Sequence, residues 1–96
     1  MTESQIQARG RMAILMDDIK ATARERENLL RPLRDRVTRA LPVDRFPAEL
    51  PNVLDTQAAG EELQAVTRVE LRLSAAVAEY NALAAGIGQP LLKRGE

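Results

Sequence analysis

Leu41-Pro-Val-Asp-Arg-Phe-Pro-Ala-Glu-Leu-Pro-Asn-Val-Leu54 divides this chain in two. Its three prolines forbid a continuous helix, because each lacks a backbone donor and crowds the carbonyl four residues back. On either side the sequence reads as one long amphipathic helix. The expected fold is therefore all-α: an antiparallel hairpin of two long helices within a single helical domain, residues 1–96. Helix 1 covers about residues 3–41, the proline-rich loop 42–55, helix 2 about 56–86, and a frayed tail 87–96. The loop also carries Phe46, Leu50, Val53 and Leu54, so it is not a solvated linker. It is expected to fold back and close the core at the end of the helix pair, or else to dock a partner.

Near the N-terminus, Thr2 followed by Gln5 reads as a capping box that lets helix 1 start almost at once. From there apolar positions recur at alternating spacings of four and three: Met12, Met16, Ile19, Ala23, then Arg26, Leu30, Leu33, Val37 and Ala40. That is the seam of a helix packed along its length at a shallow angle, as in a coiled coil. Pro32 interrupts this pattern and predicts a kink or break near residues 28–31. Toward the C-terminus, Asp55 or Thr56 caps helix 2, and Glu61 and Glu62 sit near its positive end. Its seam reads Ala59, Leu63, Val66, Glu70, Leu73, Val77, Tyr80, Ala84 and Ile87, flanked by Val69, Ala76 and Leu83. Gly86, Gly88 and Pro90 end it.

Folding the chain about the loop sets the two seams against each other. Val37 then meets Ala59, Leu33 meets Leu63, and Met16 meets Tyr80. The single charged residue of each seam meets the other, Arg26 opposite Glu70. A slide of one heptad would set both charges against apolar side chains, so this pair is expected to fix the register. The charge balance agrees with such a pairing. Residues 20–45 carry eight basic side chains against four acidic ones, and residues 46–85 carry two against six. Helices of opposite sign suit each other, or a second copy. A hairpin buries one stripe per helix, and Ile14, Leu15, Leu29 and Leu71 fall beside it. Dimerisation into a four-helix bundle, or a helical protein partner, would cover them.

Composition removes most chemistry. The chain has no Cys and no His, which excludes thiolate nucleophiles, disulfides, the usual imidazole base and most zinc sites. Asp17-Asp18 and Glu61-Glu62 are adjacent on their helices and diverge by about 100°, so neither pair converges on one point. No glycine-rich phosphate loop is present, and neither Ser4 nor Ser74 has a base beside it. Ser74 is expected to bond a carbonyl one turn back. No catalytic site, cofactor or metal is expected. Only Phe46 and Tyr80 are aromatic, so the core must be aliphatic, and a sheet is not expected. The longest apolar run, Met12–Met16, is far short of the roughly 20 residues needed to cross a bilayer, and a cytoplasmic address is the default reading. A nucleic-acid adaptor acting through the Arg24–Arg39 face is the competing reading. Zero net charge and an acidic second helix oppose it.

Three stretches carry a resemblance. Asp18-Ile19 leading into Arg24-x-Arg26-x-Asn28-Leu29-Leu30-x-x-Leu33-x-x-x-Val37 resembles the first-helix signature of the LemA family. Glu70-x-Arg72-Leu73 followed by Tyr80-Asn81 is similar to that family's Glu-Asn-Arg-Ile…Tyr-Asn pattern, and the surroundings of Leu63 are similar to the leucine-rich approach to it. The match touches most of both helices in the right order. The departures are Met16 in place of a tryptophan, a proline displaced by one position to Pro32, and a shorter helical region between the motifs. The family's N-terminal membrane anchor has no counterpart in this sequence. The resemblance implies a long-helix bundle with a non-enzymatic role near membranes, here reached only through a partner. The residues on which an interaction role is expected to rest are Met16, Arg26, Leu30, Leu33, Glu70, Leu73, Tyr80 and Asn81.

Overall fold

The computed structural model describes residues 2–42 and 44–95. Met1 lies outside the described residues, as do Val43 and Glu96, which fall in the expected loop and tail. Two α-helices and no strand occur among the described residues: α1, Glu3–Ala40, and α2, Thr56–Gly86. They lie alongside each other in a rod of 70 × 22 × 15 Å.

The helix ends follow local chemistry. At the start of α1, the Gln5 amide donates to Thr2 Oγ1 at 3.2 Å and the Thr2 amide donates to Gln5 Oε1 at 3.0 Å. These reciprocal bonds satisfy donors that have no partner within the helix. Asp55 caps α2 by accepting from the Ala58 amide at 3.0 Å. The far end of α2 closes in a Schellman turn. The Gly88 amide donates to the Ala85 carbonyl, and the Gln89 amide to the Ala84 carbonyl at 2.9 Å. Gly88 has φ +69, the left-handed conformation this turn requires, and it reverses the chain.

Pro32 does not break α1, which runs unbroken from Glu3 to Ala40. Both Pro32 and Asn28, whose carbonyl loses its usual donor, are exposed. Water can take that carbonyl, so the proline costs stability without ending the helix.

The buried stripe is rotated from the expected one. On α1 the buried residues are Met12, Leu15 and Thr22, and Ile19, Arg26, Leu29, Leu33, Arg36 and Ala40 are half-buried along the same line. On α2 the stripe runs through Glu62, Val66, Val69, Leu73, Ala76 and Tyr80. Met12, Ile19, Arg26, Leu33 and Ala40 are shared with the expected seam, but the residues between them are not. Leu15 and Thr22 replace Met16 and Ala23, while Val69 and Ala76 replace Glu70 and Val77. Val37 and Leu63, expected to face Ala59 and Leu33 across the seam, are 45% and 55% exposed. The cause is the adjacent apolar pairs. Leu15-Met16 and Leu29-Leu30 fit a three-four spacing on either side of the shared positions, and polar Thr22 and Arg36 argue against the side that is used.

The loop does not close the core. Phe46, Leu50 and Val53 are 58%, 74% and 96% exposed. Residues 44–48 form a turn, with the Glu49 amide bonded to the Arg45 carbonyl. The adjoining end of the helix pair is built from Arg36, Glu62 and the small side chains of Ala40, Ala58 and Ala59.

Candidate interaction surface

Three arginines of α1 reach glutamates of α2: Arg11 to Glu79 at 2.9 Å, Arg26 to Glu70, and Arg36 to Glu62. A fourth bridge runs the other way, from Arg72 to Glu25 at 3.1 Å. The opposite charges of the helices are thus spent largely on each other. Arg36 and Glu62 are the most enclosed of these pairs, and the Glu62 Oε2 oxygen is buried without a partner among the described residues.

The ion pairs also sort the two flanks of the seam. Arg11, Glu25, Arg72 and Glu79 share one flank, in the heptad position before the seam, and Asp18 and Arg39 lie in the same row. The opposite flank carries Met16, Ala23, Leu30 and Val37 at seven-residue intervals on α1, and Leu63, Glu70, Val77 and Ala84 on α2. In an antiparallel pair these two rows lie on the same side. That flank is apolar except for Glu70.

The C-terminal tail packs on this second flank and is not frayed. After the Gly88 turn it runs back along α2. Asn81 grips the backbone of Leu92 twice: its Nδ2 donates to the Leu92 carbonyl at 3.0 Å, and its Oδ1 accepts from the Leu92 amide at 2.8 Å. Arg94 then donates through Nη1 to Ser74 Oγ at 2.8 Å and through Nη2 to the Glu70 carboxylate at 3.1 and 3.3 Å. Glu70 therefore sits between Arg26 of α1 and Arg94 of the tail. The Arg26 hydrogen bond holds its carboxyl below the usual carboxylate range, burial opposes that, and Arg94 lowers it further. Glu79 is held low in the same way by Arg11.

Each residue singled out in the sequence has a definite place here. Arg26 and Glu70 pair. Met16 and Tyr80 line one cavity of about 250 Å³, together with Met12 and Gln89. Leu30 and Leu33 border a shallow apolar groove with Val37, at the loop end of the hairpin. Leu73 is in the core. Asn81 holds the tail. Ser74 accepts from Arg94, whereas the bond to a carbonyl one turn back is made by Thr67, to Leu63 at 2.9 Å. Sequence reasoning missed Leu92 and Arg94. The spacing Gly86-x-Gly88-x-Pro90 is the signal that a reversal follows α2, but it does not say where the reversed chain goes.

The tail covers only the half of the apolar flank nearest the end of α2. Toward the loop, Leu30 and Leu33 are half-buried and Val37 and Leu63 are exposed. Neither ion pair nor tail covers them. No known protein family, curated protein or solved structure matches this chain.

Proposed function

We propose that this chain is a non-enzymatic helical interaction module whose uncovered apolar flank, Leu30, Leu33, Val37 and Leu63, packs against further helices, supplied most simply by a second copy. The observation that carries this reading is the amount of surface left open. A compact chain of this mass, 10.6 kDa, exposes about 5,500 Å² by the usual size scaling. This hairpin exposes 7296 Å². The excess, roughly 1,800 Å² on one chain, is more than the roughly 800 Å² that each partner contributes to a standard protein interface. The core points the same way: among the described residues only seven apolar side chains are buried, and two of those are alanines.

A two-fold dimer pairing these flanks would set the basic α1 of one copy beside the acidic α2 of the other, a self-complementary arrangement. It would make the four-helix bundle anticipated from the sequence. The order of LemA-like motifs along both helices supports a scaffold role of the same kind. No helix described is long and apolar enough to cross a membrane. Nucleic-acid binding by α1 is disfavoured by the engagement of Arg26 and Arg36 with α2 and of Arg31 and Arg34 with Glu27 and Asp35.

Light scattering coupled to size exclusion tests the proposal. The wild-type chain is expected to elute with the mass of a dimer. The double variant Val37→Asp/Leu63→Asp is expected to elute as a monomer with unchanged helical circular dichroism, because both side chains are exposed in the single hairpin. A wild-type chain that stays monomeric as its concentration rises would leave self-association without support.

A further inference from the structure

Glu70, Ser74 and Asn81 fall on one stripe of α2, spaced by four and seven residues, and together they hold an extended piece of chain. The division of labour among them is informative. Asn81 engages only the backbone of Leu92, donating to its carbonyl and accepting from its amide. Any extended residue other than proline could offer that pair of groups. Leu92 itself is half-buried. Two residues on, Glu70 and Ser74 engage a side chain, and their three bonds to one guanidinium suit the planar fork of arginine rather than the point charge of lysine. The Arg26 contact keeps the Glu70 carboxylate ionised and oriented before any tail arrives.

The piece of chain that fills this stripe is attached through a single left-handed residue, Gly88, and lies outside both helices. Among the described residues its hydrogen bonds all go to α2 and none to α1. We propose that the stripe from Glu70 through Ser74 to Asn81 is a recognition site for an extended segment of another protein carrying a leucine and, two residues later, an arginine, and that the chain's own tail occupies the site until such a segment displaces it. The acidic character of α2 favours a basic segment of this kind, and the tail residues Leu92-Lys93-Arg94 show the pattern that fits. The site stands on contacts separate from the Leu30–Val37 flank and does not require dimerisation.

The probe is a fluorescein-labelled peptide with the sequence of residues 88–95, followed by anisotropy against the full-length chain. A tethered tail competes at a high effective concentration, so the wild type should bind the peptide weakly, and Arg94→Glu, which drives the tail away from Glu70, should bind it about tenfold or more tightly. Leu92→Pro, which removes the amide that Asn81 accepts from, opens the site by an independent change in the tail and should act in the same direction. Adding Asn81→Ala to either variant should abolish binding, as should placing glutamate at the arginine of the peptide. If both opened variants keep their helical circular dichroism and bind no better than the wild type, the stripe is only an anchor for the tail and the proposal is overturned. Binding that survives Asn81→Ala overturns it too. A wild-type dimer that both Arg94→Glu and Leu92→Pro convert to monomer would assign the stripe to the tail of a second copy instead, and would equally overturn it.

Discussion

Glu70 is the residue on which three parts of the chain converge, since it accepts from Arg26 of α1 and from Arg94 of the tail while standing on α2. Its folded-state carboxyl is held below the ordinary value of 4.5, chiefly by the Arg26 bond. A carboxyl with a depressed folded pKa contributes stability that is fully present above its unfolded pKa and is lost as pH falls through the folded one. The contribution is modest, because the Arg26 and Glu70 side chains are 40% and 37% exposed and such pairs are screened by water and salt. Thermal melts at low ionic strength should therefore show Glu70→Gln less stable than the wild type at pH 7, with the gap narrowing as pH drops below about 4.5 and closing at the acid end. A gap that stays constant with pH would mean that the carboxylate charge is not what holds the pair. The pairing of Arg26 with Glu70 is legible in the sequence, because each is the only charge in its helix's apolar pattern. The second partner of Glu70 is not. Arg94 lies 24 positions away, beyond the end of α2, and no periodicity connects the two.

At the scale of the helices, what is legible is whatever depends on neighbours in sequence. Thr2 with Gln5, Asp55, and Gly88 each mark a helix end through bonds made within a few residues, and the structure has them all. What is not legible is which of two adjacent stripes is buried, because that depends on the other helix. The rotation of the seam can be tested with one substitution made at two places. Val69 is 3% exposed and Val77 is half-buried, although the apolar spacing alone would put Val77 in the seam and Val69 beside it. Val69→Ala should cost about 1–3 kcal/mol in denaturant unfolding, and Val77→Ala clearly less. The reverse order would restore the other stripe. Pro32 gives a second test at this scale. It lies in an unbroken helix on an exposed face, where it contributes neither a bond nor a turn. Pro32→Ala returns a donor to the Asn28 carbonyl and should raise stability by roughly 1–3 kcal/mol, visible as a higher denaturant midpoint with an unchanged slope. No gain would mean that the chain bends at this point and that the bend is needed for packing elsewhere.

For the whole molecule, the elongated shape follows from the two long helices legible in the sequence, and it bears on how the chain can associate. A compact chain of this length has a radius of gyration of about 12–13 Å, and the hairpin has 19.8 Å. The difference arises because helices of 38 and 31 residues lie side by side as a rod, and Phe46, Leu50 and Val53 of the loop stand in solvent rather than folding a third layer over them. A rod of this kind has two ways to bury more surface, and they differ in length. Side-by-side packing through Leu30, Val37 and Leu63 doubles the mass while the longest dimension stays near 70 Å. Exchange of tails at the α2 ends instead places two rods end to end and roughly doubles that dimension, because each tail would have to extend past Gly88 to reach the other copy. Small-angle scattering on the dimer fraction separates the two. The apolar flank predicts a particle that is thicker but no longer than the hairpin. A particle of about twice the length would move the interface from the helix flank to the tail, and Val37→Asp/Leu63→Asp would then leave the dimer intact.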